Sequence, residues 1–135
     1  MRKRTSRDAS SAAIGNISSF LSVLPACYFS VYSGTKAYVN QFSEALRAEL
    51  HGSGVAVTTF RPAHVVTAMF GLSAPSVMAP GPRAYARSVW AKLGVRGVVS
   101  SYLPHALQEA FAAAMPAWFI RSSLRAALAP KPGPP

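Results

Sequence analysis

The chain has 135 residues, half of them hydrophobic and 13% charged, which is enough for one domain with one core. Its formal net charge is +10, but the basic residues outside the first dozen positions are spread along the chain with no base-contacting run, zinc-finger pattern or RNA-recognition motif, so the charge gives no reason to expect nucleic-acid binding. Cys27 is the sole cysteine, which excludes an internal disulfide and a structural zinc site, and no apolar run reaches the roughly 18–20 residues needed to span a bilayer.

The first segment, residues 1–12, is an Arg- and Ser-rich leader with no large apolar residue after Met1, and is expected to be disordered. Its composition is loosely that of a transit peptide and equally that of an out-of-context start to a truncated reading frame. Ala13 to Ser18 is a short apolar run that turns polar at Ser18-Ser19, as a buried parallel strand ending at a site would. Phe20 to Ser30, with Pro25, reads as a loop. Val31 to Leu50 carries Val39, Phe42, Leu46 and Leu50 at helical steps, one apolar stripe on a helix that His51-Gly52-Ser53-Gly54 terminates.

Val55 to Phe60 is rich in β-branched residues and predicts the next strand. Strand, helix, glycine turn and strand make a βαβ unit and hence a parallel sheet. Prolines at 62, 75, 80 and 82 make the following stretch a loop. Arg83 to Leu93 predicts a helix, Gly97 to Leu103 a last strand, and Pro104 to Leu128 a helix bent at Pro116. Residues 130–135 are a Pro/Gly tail, which leaves 13–129 as the folded unit. His51, His64 and His105 lack metal-ligand spacing and read as ordinary partner or surface histidines.

The chemistry concentrates in Asn16-Ile17-Ser18-Ser19 and Tyr32-Ser33-Gly34-Thr35-Lys36. Tyr32 and Lys36, spaced i, i+4, share one helix face. Ser19 ends the preceding strand, and in a parallel α/β sheet strand carboxyl ends and helix amino ends meet at the ligand-binding edge. A serine hydroxyl can hold a carbonyl oxygen, and a phenol can exchange a proton with it. An ammonium beside a phenol favours its ionised form. The set suits protonation of an oxygen while hydride reaches carbon. A bare Tyr-x-x-x-Lys is common by chance, so the weight falls on its surroundings.

Those surroundings resemble the short-chain dehydrogenase/reductase superfamily. The resemblance runs from Ile14 to Leu128 and implies an α/β fold, a partial Rossmann-like doubly wound parallel sheet of carboxyl-terminal strands and helices. It implies that Ser19 orients substrate, Tyr32 is the acid/base, and Lys36 holds the nicotinamide ribose. The segment Arg61-Pro62-Ala63-His64-Val65-Val66-Thr67 resembles the family's Pro-Gly loop. Pro62, Ala63, Val65 and Thr67, with Tyr32 and Lys36, would then contact NADP or NAD, and Ala63 stands where glycine is usual. Tyr38-Val39, Phe42-Ser43, the segment 102–107 and Met115-Pro116-Ala117-Trp118 resemble the branch holding 17β-hydroxysteroid dehydrogenases and very-long-chain 3-oxoacyl-CoA reductases. The branch implies a steroid ketone or 3-oxoacyl-CoA as substrate and an endoplasmic reticulum or cytoplasmic location.

No glycine-rich turn for the pyrophosphate follows an early strand, so the nucleotide-gripping half is expected to be absent and the strand at Ala13 to Ser18 to have an open edge. Two readings therefore stand. One is a truncated NADP(H)-dependent ketoreductase. The other is a non-catalytic isoform or incomplete gene product that pairs, as a homo- or hetero-dimer, with an intact reductase through the Tyr32–Leu50 helix. Membrane attachment through Pro104 to Leu128, where Arg121 and Arg125 flank apolar turns, is a further expectation.

Overall fold

The computed structural model describes residues 12–67 and 74–129. The expectations for the leader and the tail lie outside these residues, except that Ala12 belongs to the first strand.

The chain forms a three-stranded parallel sheet in the order β1-β2-β3, where β1 is Ala12–Ile17, β2 is Val55–Phe60 and β3 is Gly97–Val99. The register runs from Ala12 opposite Val55 to Ile17 opposite Phe60, and from Thr58 opposite Gly97 to Phe60 opposite Val99. The ladder continues past the strands through Ser18 N–H to the Phe60 carbonyl and Phe20 N–H to the Pro62 carbonyl. That extension carries the start of each site loop side by side.

β2 is the central strand, and its sequence explains why. Ala56 to Phe60 are buried on both faces, as a run without period-2 polarity requires. Helix α1 (Ser30–Glu49) crosses between β1 and β2 on one face. On the other face lie α2 (Pro82–Trp90) and the turn after it. Thr58 spans that side: its hydroxyl donates to the Val95 carbonyl at 2.6 Å and accepts from Gly94 N–H at 3.2 Å. Gly15 has no side chain because Leu93 and Phe60 occupy the space; a Cβ there would meet Leu93 Cδ1 at 2.9 Å. Helices on both faces of a parallel sheet give the doubly wound α/β arrangement, seen here as three strands.

The seam between α1 and the sheet is polar. Of the apolar stripe read from Val39, Phe42, Leu46 and Leu50, three residues (Val39, Leu46 and Leu50) are half-buried, whereas Phe42 is 45% exposed and stacks on Tyr38, which is 69% exposed. Ser43 is instead the fully buried residue of α1, and its hydroxyl accepts from Asn16 Nδ2 at 2.9 Å. Asn40 Nδ2 donates to Ser22 Oγ at 2.8 Å. Arg47 donates through Nε to the Val57 carbonyl at 3.2 Å and pairs with Glu44. Hydrogen bonds thus join the half-buried Val39, Leu46 and Leu50 in seating the helix over the sheet.

Three further boundaries differ from expectation. Phe20–Val23 forms a 3-10 turn inside the predicted loop, capped by Ser19. β3 stops at Val99, because the chain turns at residues 100–102 to start α3 (Leu103–Ala114). The single bent helix is two: Pro116 lacks the amide that would continue α3, and serves as the N-cap of α4 (Ala117–Leu128).

Candidate active site

The carboxyl ends of β1 and β2 open onto a cavity of about 530 Å³. Ser19 comes from the end of β1, Tyr32 and Lys36 from the first turns of α1, and Pro62, Ala63, Val65 and Thr67 from the loop after β2. All the residues given catalytic or cofactor-binding roles above line this one cavity. Apart from Ser18 and His64 the rest of its lining is apolar, and it includes Phe20, Leu21 and Phe29 as well as Leu124, Ala127 and Leu128 of α4.

The polar side chains are held in place from behind. Ser19 is 6% exposed, and its Oγ accepts from Leu21 N–H at 3.2 Å, leaving the hydroxyl hydrogen to point elsewhere. Ser18, one residue earlier, faces the helix, and its Oγ donates to the Lys36 carbonyl at 2.8 Å. Lys36 Nζ returns the connection by donating to the Ile17 carbonyl at 3.1 Å. The same Nζ lies 5.8 Å from the centre of the Tyr32 ring, within reach of its π face. Phe29 packs edge-on against Tyr32 with ring centres 6.4 Å apart. Lys36 is thus fixed at both its backbone and its ammonium, and Tyr32 is framed by a cation and a ring.

The loop after β2 is held by α3. Arg61 pairs with Glu109, and its amide donates to the Val99 carbonyl at 3.3 Å. His105, 1% exposed, accepts from Ala63 N–H at Nδ1 (3.3 Å) and meets the His64 carbonyl at Nε2 (3.0 Å). Burial pushes the His105 imidazole below its usual range; hydrogen bonding to the backbone of His64 and Met78 opposes this, and the nearby His64 ring adds to it. Tyr102 packs edge-on against the imidazole at 5.0 Å and Tyr85 lies tilted over it at 5.6 Å.

Ser18 and His105 are the site-supporting residues that the sequence did not reveal. Ser18 was legible only as the polar end of a strand. His105 read as an ordinary histidine, and only the placement of α3 over the loop gives it a task. Among the described residues no cluster of three His, Cys, Asp or Glu side chains is placed to hold a metal ion.

The donor set fits the nicotinamide end of a dinucleotide: an ammonium and a phenol for ribose hydroxyls, a threonine hydroxyl and loop backbone for a carboxamide. Among the described residues there is no glycine-rich strand-to-helix turn for a pyrophosphate.

Comparison with known proteins agrees with the geometry. The family model for short chain dehydrogenases matches residues 3–76, more than half of the chain. Very-long-chain 3-oxoacyl-CoA reductases from Bos taurus and Homo sapiens are each 32% identical over 111 residues, covering 82% of this chain and 36% of theirs. The protein of that name from Pyricularia oryzae is 36% identical over 96 residues, covering 67% of this chain and 29% of its own. The chain thus spans about a third of the length of the curated relatives it matches. A short chain dehydrogenase from Burkholderia cenocepacia, solved in complex with NADP, superposes with a TM-score of 0.60 at 23% identity, covering 93% of this chain and 50% of that one. With a parallel βαβ core, a cavity at its carboxyl edge and this match, the chain belongs to the short chain dehydrogenase family.

Proposed function

We propose that the chain carries the catalytic portion of an NADP(H)-dependent ketoreductase whose substrate is a 3-oxoacyl-CoA, with a steroid ketone as the competing choice. The observation that supports this reading is the single cavity on which Ser19, Tyr32, Lys36 and the 62–67 loop converge. Within it, the Ser19 hydroxyl donates a hydrogen bond to the substrate carbonyl oxygen and fixes its position. The Tyr32 hydroxyl gives its proton to that oxygen as the carbonyl is reduced to an alcohol. Lys36 binds ribose hydroxyls, with its ammonium 5.8 Å from the centre of the Tyr32 ring. The backbone of Val65 and the hydroxyl of Thr67 orient the carboxamide. When bound, the nicotinamide supplies the hydride that reaches the carbonyl carbon.

The acyl class is favoured by the apolar part of the lining. Phe20, Leu21 and Phe29 together with Leu124, Ala127 and Leu128 line the cavity, which suits a flexible alkyl chain. The names of the relatives point the same way. The test is oxidation of NADPH, followed by absorbance, with a long-chain 3-oxoacyl-CoA and with a 17-ketosteroid. Turnover with the former, lowered on the order of 10²–10⁴-fold in Tyr32→Phe, is the expected result. No turnover together with no nucleotide binding overturns the reading for this chain.

A second, non-catalytic reading has its own support: the Tyr38–Phe42 stack lies bare on the outside of α1. In that reading the helix pairs with an intact reductase or a second copy, and co-purification with a full-length reductase, abolished by Tyr38→Ala with Phe42→Ala, would favour it. Membrane attachment through Pro104 to Leu128 is a further part of this reading; among the described residues no helix is long and apolar enough to cross a bilayer. Leu103, Leu107 and Phe111 form an exposed stripe on α3, and Trp118 is exposed on α4 close in sequence to Arg121 and Arg125. Flotation with anionic liposomes tests this attachment, and with it an endoplasmic reticulum rather than a cytoplasmic location.

A further inference from the structure

We propose that His105, held in its neutral Nε2–H form, is the positioning residue that sets the shape of the 62–67 loop at the cavity. The ligand half of this proposal rests on the ketoreductase reading, whereas the clamp itself rests on geometry alone.

Two adjacent residues of the loop are fixed by one ring. Ala63 donates its amide hydrogen to Nδ1 at 3.3 Å, so Nδ1 carries a lone pair. A neutral imidazole then has its hydrogen on Nε2, where the His64 carbonyl accepts it at 3.0 Å. The backbones of Ala63, His64 and Met78 all meet the ring, and the Ala63 amide at Nδ1 leaves the hydrogen of a neutral imidazole on Nε2. The imidazole is 1% exposed and lies between the rings of Tyr85 from α2 and Tyr102 at the start of α3, so it has little freedom to turn. One helical turn further along α3, Glu109 holds Arg61, so a single helix face secures the loop at its start and at its bend. Val65 and Thr67, which follow directly, line the cavity.

Protonation would replace the Nδ1 lone pair with an N–H facing the Ala63 N–H, and the clamp would open. The titratable and charged groups around the ring are Tyr85 on α2, Tyr102 on α3, His64 on the loop, and the Arg61–Glu109 pair. Burial keeps the Tyr85 phenol neutral, so it offers no charge to retain a proton on His105.

The experiment uses the whole chain. Imidazole nitrogen-15 correlation spectra report the tautomer, amide hydrogen exchange reports the Ala63 bond, and NADPH fluorescence reports nucleotide affinity. The expected result is an Nε2–H tautomer at neutral pH, with Ala63 protection, corrected for intrinsic exchange, falling on the order of tenfold as His105 takes a proton. His105→Phe lowers that protection at all pH values while the β2 amides keep theirs, and weakens NADPH binding on the order of tenfold. His105→Asn, whose amide offers the same donor and acceptor, restores part of both and removes their acid dependence. Should His105→Phe not fold, the wild-type titration and His105→Asn still decide. An Nδ1–H tautomer or Ala63 protection indifferent to His105 overturns the clamp, and measurable NADPH binding by the wild type that His105→Phe leaves equal overturns its effect on the cavity. Ala63 protection that follows His105 in a chain binding no NADPH upholds the clamp and overturns the ketoreductase reading instead.

Discussion

The carboxyl edge of the sheet and the outer edge of β1 are built on opposite plans. At the carboxyl edge nearly every polar group is tied: Ser18 to Lys36, Lys36 to Ile17, His105 to Ala63 and His64, Arg61 to Glu109. Along β1 the outer side pairs with no strand among the described residues, and its neighbours Ile17 and Trp90 are 47% and 76% exposed. An apolar hollow lined by Ile17, Tyr85, Val89 and Trp90 opens beside it. Order at the cavity therefore comes from short polar ties within the βαβ unit and α3. The bare edge is a surface that another strand or another molecule can use.

The largest effect should come from removing what both regions share. Phe60, fully buried at the centre of the sheet, anchors β2 against the α2 side. Phe60→Ala should cost about 3–5 kcal/mol in a denaturant melt. That is comparable to the whole stability of a small domain, so a variant that melts like wild type would mean the core lies elsewhere.

Ser18→Ala cuts one tie at the carboxyl edge. It should lose about 0.5–1.5 kcal/mol and increase amide exchange in the first turns of α1, with β3 unaffected. Equal loosening of β3 would show that the edge behaves as a block instead of a set of separate ties.

The strand, helix and strand at the centre were legible in the sequence because their signals are local: a glycine stop after Leu50, β-branched residues from Val55, and a Tyr-x-x-x-Lys face. The face of α1 was legible in part. Val39, Leu46 and Leu50 of the predicted stripe are half-buried while Phe42 is exposed, and Ser43 and Asn40 add hydrogen bonds that no periodicity encodes. The roles of Ser18 and His105 were hidden for a related reason. Each depends on a partner 18 or 41–42 residues away in the chain, and its geometry exists only after α1 and α3 have docked. The early end of β3 and the break at Pro116 fell at boundaries where strand and helix tendencies compete.

Acid should weaken the tied region selectively. The folded value of His105 lies below its ordinary one, so the unfolded chain takes up the proton first as pH falls. The contribution of neutral His105 is complete above about pH 6.5 and is lost as pH falls from there toward the lowered folded value. Melts across that window should show declining stability in the wild type and less decline in His105→Asn.

The smallest effect on stability is expected at the bare edge. Ala13 is exposed on β1, and Ala13→Lys should change the melt by no more than about 0.5 kcal/mol. The charge should nevertheless lower concentration-dependent association in sedimentation runs, since lysine discourages edge-to-edge pairing. A wild-type chain that stays monomeric at high concentration would remove this edge from the comparison.

The interruption at Pro116 divides labour within the cavity. In the proposed reaction the reacting groups sit on the βαβ unit, while apolar lining from Leu124 and Leu128 sits on α4, beyond a joint without a continuous helical hydrogen-bond ladder. Under that reading, replacing Leu124 or Leu128 with smaller or larger residues is expected to retune the chain length admitted and to leave the Tyr32 step untouched. Ligand choice could then diversify by drift in one helix while the proposed chemical step stays constant.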